Sequence, residues 1–182
     1  LPIEDSMEGI FGTFKNTALV QKSGGGTGFS LGRLRPRNDI VKSTSGVSSG
    51  TISFMKVLNT VTDVVKQGGT RRGANMGILP VYHPDIEEFI HAKDEEGVLE
   101  NFNLSVGITE NFFEKALKGE DYDLINPRTR KPCGRLNAKK VLEDLVESAW
   151  KKGDPGIIFL DRLNACNPTP QIGEIESTNP CG

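Results

Sequence analysis

Hydrophobic positions recur along the chain with two periods, and they divide it into alternating helices and strands. In 51–67, Ile52, Met55, Leu58, Val61, Val64 and Val65 fall at three- and four-residue intervals, which gathers them on one helix face. In 138–152, Val141, Leu145, Val146 and Ala149 do the same, with Asn137 positioned to cap the first turn. Residues 7–22 form a weaker amphipathic helix that gives way to Ser23-Gly24-Gly25-Gly26-Thr27-Gly28. His83-Pro84-Asp85 opens a helix to residue 93, and Thr109 caps another that begins at Glu110. Strands are expected at 77–81, at 103–108, where Leu104, Val106 and Ile108 alternate, and at 156–160, read as buried. Residues 36–50, rich in Ser, Gly and Pro, are expected to be loop, 128–135 a basic turn, and the segment after 160 extended. Trp150 and the phenylalanines occupy helix or strand positions and are assigned to the core. Strands alternating with helices predict an α/β architecture with mainly parallel pairing.

Composition narrows the picture. The 182 residues suffice for one domain with a core. A net charge of −2 and a pI near 5.8 argue against a nucleic-acid coat or a polybasic membrane-surface protein. No apolar run is long enough for a membrane helix. The acidic start, Leu1-Pro2-Ile3-Glu4-Asp5, lacks the features of a signal peptide. Three scattered cysteines make no disulfide framework, and neither CxxC spacing nor a histidine cluster suggests a metal site. A reducing compartment, the cytoplasm, is the expectation. With no initial methionine and a stop at Gly182, the chain reads as a piece of a longer protein.

Four features carry candidate chemistry. Lys66-Gln67-Gly68-Gly69-Thr70-Arg71-Arg72-Gly73 combines glycines, which let the backbone approach a ligand, with guanidiniums, which suit phosphate or a base edge. A solvated basic loop is the plain alternative. The run 24–28 resembles a phosphate cradle, with Lys22 before it and Arg33 and Arg35 after it, yet it fits neither the Walker nor the dinucleotide fingerprint. It is otherwise simply a turn. Asp5 can accept from a ribose or base edge, or be surface charge or a helix cap. Cys181, between Pro180 and Gly182, is presented at a loop tip with Asn179 close by, whereas Cys133 and Cys166 read as buried spectators.

Taken in order, these segments resemble the catalytic subunit of ribonucleotide reductase, above all its adenosylcobalamin-dependent (class II) branch. The resemblance is carried by LPIEDSMEGI at 1–10, SGGGTGFS at 23–30, RLRP at 33–36, VKQGGTRRGANMGIL at 65–79, HPDIEEFI at 83–90, NFNLSV at 101–106, and the Asn-Pro-Cys end. It implies about the first half of the family's ten-stranded α/β barrel, ending at the tip of the finger loop that threads it. Residues 1–182 would then be one partial catalytic domain, with the effector site and specificity loop within 1–80 and the finger arm at 161–182.

By the same resemblance, Cys181 becomes the thiyl radical that abstracts the ribose 3′ hydrogen, and Asn179 hydrogen-bonds the ribose. Gly26 brings its backbone against the substrate. Lys66, Gln67 and Arg71 read the base from a specificity loop at 63–75. Asp5, Lys22 and Arg35 hold a deoxynucleotide effector, completed by the serine-rich loop 42–50. The resemblance further implies adenosylcobalamin as cofactor, with no residue assigned to it, a thioredoxin-like reductant, and a homodimer packed through the helix at 51–67. The redox cysteine pair and catalytic glutamate are expected outside 1–182, so the piece alone is expected to be inactive. Two alternatives stand beside this: a class I large subunit that takes its radical from a partner subunit, and a non-catalytic deoxynucleotide-binding relative.

Overall fold

The computed structural model describes residues 1–41, 45–67 and 71–181, with the side chains of Lys66, Gln67 and Arg71 outside that description. Helix α1, Met7–Lys22, starts where the Ser6 hydroxyl accepts from Gly9 N and buries Ile10, Phe14 and Gln21. It feeds through the glycine run into strand β1, Thr27–Ser30. A small hairpin of β2, Ile40–Val41, and β3, Gly46–Val47, interrupts the segment expected to be loop. Helix α2, Thr51–Val64, follows. It ends three residues before the 51–67 expectation, because Lys66 and Gln67 leave it to pair, antiparallel, with Arg72 and Arg71. That pairing makes hairpin β4, Lys66–Gln67, and β5, Arg71–Arg72, whose connecting residues 68–70 lie outside the described residues.

The centre of the fold is a parallel sheet. Strands β1, β6 (Asn75–Pro80), β7 (Phe102–Ile108) and β10 (Gly156–Phe159) stand side by side in that order. Helix α3, Ile86–Ile90, is shorter than expected. Between β7 and β10 run α4, Glu110–Lys118, capped by Thr109 as the sequence predicts, then strands β8, Asp121–Asn126, and β9, Lys131–Asn137, and helix α5, Ala138–Lys152. Of the expected basic turn at 128–135, only 128–130 lie at the tip of a β8–β9 hairpin, and 131–135 belong to strand β9. A short α6, Leu160–Ala165, breaks the segment expected to be extended.

The two faces of the sheet are covered differently. Phe29, Leu79, Phe102, Leu104, Val106 and Ile108 face the helices in the main core. Met76 and Ile78 are equally buried but lie on the opposite face, where the chain after α6 returns. In register with Met76 stand Gly28 on one side and Asn103 on the other, and both touch that returning arm. Expectations of burial fail at the periphery, Phe11 among them at 52% exposed. Strand β10 is an edge, with Gly156 and Ile157 exposed. Trp150 is 84% exposed. The inner stripe of α5 is Val141, Leu145 and Ser148, and a residue two positions past Ser148 points to the far side of the helix, as the exposed Val146 also does.

Candidate active site

The end of α1 and the end of the chain meet. Gln21, Gly24, Gly25, Gly26, Arg72, Gly73, Ala74, Asn179, Pro180 and Cys181 line one cavity of about 270 Å³. Three segments far apart in sequence, 21–26, 72–74 and 179–181, therefore converge at Cys181, which is exposed and free. Cys133 and Cys166 are exposed too, against expectation, but neither lines this cavity.

The glycine run does not serve as an anion nest. Gly24 N donates to Gln21 O (2.9 Å) and Gly25 N to Val20 O (3.1 Å), which closes the last turn of α1. Thr27 N donates to Ala74 O at 3.1 Å. What the glycines provide instead is room. A Cβ on Gly26 would sit 2.9 Å from Pro180 Cδ and Cγ, and one on Gly28 would sit 1.6 Å from Thr178 O. The arm 177–180 thus lies directly on the backbone of β1.

Beneath the cavity is a buried polar cluster. Gln21 Nε2 donates to Asn75 Oδ1 at 2.9 Å and lies within hydrogen-bond reach of Thr62 Oγ1 and Thr27 Oγ1. Asn75 Nδ2 donates to Thr62 Oγ1, and Thr27 Oγ1 donates to Asn75 Oδ1. These bonds tie the ends of α1 and α2 to the starts of β1 and β6. Gln21 Oε1, buried, has no partner among the described residues. Gly73 packs so close to this amide that a Cβ there would meet Gln21 Cδ at 2.6 Å.

The residues expected to read the base sit on the β4–β5 hairpin by backbone; the side chains of Lys66, Gln67 and Arg71, and all of Gly68, Gly69 and Thr70, lie outside the described residues. Arg72, one of the two guanidiniums of the motif but given no role by the resemblance, lines the cavity. Gln21, and Asn103 within the 101–106 motif, were given no role by the sequence.

Of the expected effector ligands, two meet and one stands apart. Arg35 Nε lies 2.9 Å from Asp5 Oδ2, with both side chains about three-quarters buried, and Arg35 Nη1 donates to Ile40 O. Lys22 is at the other end of α1, about 22 Å away along a helix rising 1.5 Å per residue. Residues 42–44 of the serine-rich loop lie outside the described residues.

A second cavity, of about 320 Å³, opens at the C-terminal ends of the parallel strands, lined in part by Arg33, Tyr82, Asp161 and Glu176. There Arg33 forks onto Glu176, with Nε 3.1 Å from Oε2, which anchors the root of the arm. Burial, then Glu174 and Glu176 nearby, pushes the Tyr82 phenol above its ordinary range. Asp161, accepting from the Glu110 amide, is held below the ordinary carboxylate range.

The family model for the ribonucleotide reductase barrel domain matches residues 1–182. The chain belongs to the ribonucleotide reductase barrel-domain family. Among curated relatives, a vitamin B12-dependent ribonucleoside-diphosphate reductase of Thermoplasma acidophilum is 60% identical over the whole chain, which covers 24% of that protein. A Mycobacterium tuberculosis protein of the same name is 46% identical, again over the whole chain and 26% of its own length. A ribonucleoside-diphosphate reductase subunit alpha of Synechocystis is 28% identical over 98% of the chain. The chain thus spans about a quarter of the length of the curated relatives it matches. No helix among the described residues is long and apolar enough to cross a membrane, and no group of described side chains could hold a metal ion.

Proposed function

We propose that this chain is the part of an adenosylcobalamin-dependent ribonucleoside-diphosphate reductase that carries the radical cysteine and the start of the nucleotide site. The observation that carries the reading is the cavity uniting Cys181 and Asn179 with Gly26 and the root of the 66–72 hairpin. When bound, adenosylcobalamin would supply the radical that accepts the Cys181 thiol hydrogen atom, so that the S–H bond breaks homolytically and leaves a thiyl. The exposed thiol of Cys181, at a cavity, fits that demand; no residue is assigned to hold the corrin. The Cys181 sulfur then takes the ribose 3′ hydrogen atom: the C3′–H bond breaks homolytically, an S–H bond forms, and the unpaired electron passes to C3′. The Asn179 amide holds the ribose, and the Gly26 backbone lies against it. The two electrons for reduction come from a cysteine pair outside 1–182, recharged by a thioredoxin-like reductant, so the piece alone does not turn over.

Lys66, Gln67 and Arg71 read the base, and the glycines between them let a bound deoxynucleotide effector bias the loop's shape. The Asp5–Arg35 pair belongs to that effector's site, with Lys22 contributing from the far end of α1. Met7, Phe11 and Leu19 on α1, with Val57 and Val64 on α2, are exposed apolar side chains on two packed helices, which supports a homodimer through this face. Three free thiols suit the cytoplasm.

The test is nucleotide reduction by the full-length protein with and without adenosylcobalamin. Cobalamin-dependent reduction that Cys181→Ser abolishes is the expected result. Reduction only with a separate radical-generating subunit would move the protein to class I, and nucleotide binding without reduction would make it a non-catalytic relative.

A further inference from the structure

We propose that Asn103 is a positioning residue for Cys181, an inference that rests on the radical role just given to that thiol. Asn103 is the second residue of β7. Its neighbours Phe102 and Leu104 are buried against the helices, so strand alternation turns Asn103 to the opposite face, the one the arm crosses. There Asn103 Nδ2 donates to Pro180 O at 2.7 Å.

That carbonyl is bonded to the amide nitrogen of Cys181. The peptide unit is planar, so a bond that holds its oxygen also restrains where the nitrogen and Cα of Cys181 lie. The rotations about N–Cα and Cα–Cβ then remain to aim the sulfur.

The rest of the tip is held by shape. Pro180 lies on Gly26 and Thr178 on Gly28, both from the β1 side. The Ser177 and Thr178 hydroxyls bond only within the arm, to Thr178 O and Asn179 O. Among the described residues, Asn103 makes the only side-chain hydrogen bond from the sheet to 177–181. Strands β1 and β7 flank β6, so the tip is seated between a steric stop on one side and one directional bond on the other. Asn103 is itself exposed and adds nothing to the core.

The experiment compares Asn103→Ala and the isosteric Asn103→Asp with wild type in the full-length protein. The first readout is alkylation of Cys181 in cobalamin-free protein, followed site by site by mass spectrometry against Cys133 and Cys166. The second is steady-state reduction with adenosylcobalamin. Released from its bond, the tip should change its Cys181 alkylation rate several-fold in both variants, with Cys133 and Cys166 unchanged. Turnover should fall about 10- to 100-fold, the loss typical of a misplacement near 1 Å, with KM within about two-fold. An unaltered Cys181 alkylation rate in variants that melt like wild type overturns the proposal, as does a rise in KM with kcat intact. If wild type reduces no nucleotide, the functional reading fails, while alkylation still decides whether Asn103 positions the thiol.

Discussion

Replacing Gly28 by alanine should separate catalysis from stability. The added Cβ would lie 1.6 Å from Thr178 O and 2.8 Å from Thr178 C, both backbone atoms that no rotamer change can move. Ordinary contact begins at about 3.5 Å, so the arm must rise by about 2 Å. Gly28 lies in a strand without a positive φ, so alanine carries no conformational strain there, and it reduces the freedom of the unfolded chain by up to about 1 kcal/mol. The destabilising term is therefore confined to an arm held by few contacts, whereas the displaced atoms are three residues from the thiol. In the full-length protein, kcat should fall by about 100-fold or more while the urea midpoint barely moves. Gly134→Ala is the control. It sits in β9, away from the cavity, and its Cβ meets only a Leu124 methyl at 3.3 Å, so kcat should stay at the wild-type value. A folded Gly28→Ala protein with wild-type kcat would refute the close seating of the arm on β1.

Three other outcomes follow from single residues. Cys181→Ser should abolish reduction yet shift stability by less than about 0.5 kcal/mol, because the side chain is exposed; a melting curve that drops markedly would mean that the thiol is structural. His83 is buried neutral, with Nε2 donating to Leu34 O at 2.8 Å and Nδ1 accepting from Asp85 N at 3.1 Å, and burial pushes its pKa below 6.5. The unfolded chain therefore protonates first. Stability is complete above pH 6.5 and falls, as pH drops toward the folded value, by up to about 1.4 kcal/mol per unit. His83→Gln should flatten that slope in urea titrations between neutral and mildly acidic pH, and an identical slope would refute the assignment. Asp154 accepts from Lys93 Nζ at 2.7 Å and from Leu104 N at 3.1 Å, so Asp154→Ala should cost about 2–3 kcal/mol in chemical denaturation; a loss under about 0.5 kcal/mol would mean the pair is not formed.

Where the chain buries one face of a regular element, the sequence was legible. Helices α1, α2 and α5 and strand β7 follow from spacing, because period fixes which residues share a face, α4 follows from its Thr109 cap, and β6 was expected as a short strand. Elements without that contrast were missed. Strand β9 is polar and largely exposed and β1 starts inside a glycine run, whereas β10 falls where the 156–160 expectation puts it and departs only in being an exposed edge. Trp150 was assigned inward on residue type, although helical angle turns it out.

By itself the sequence determined the family and the α/β alternation, and it marked Cys181 and Asn179 through their local motif. Those are properties of neighbouring residues, and they can be read in one dimension. Tertiary structure alone decided what the glycine run is for, that Arg72 lines the cavity, and that Asn103 holds the carbonyl before Cys181. These are contacts between segments 77 to about 150 residues apart, so they depend on how strands stack beside one another, which no local pattern encodes.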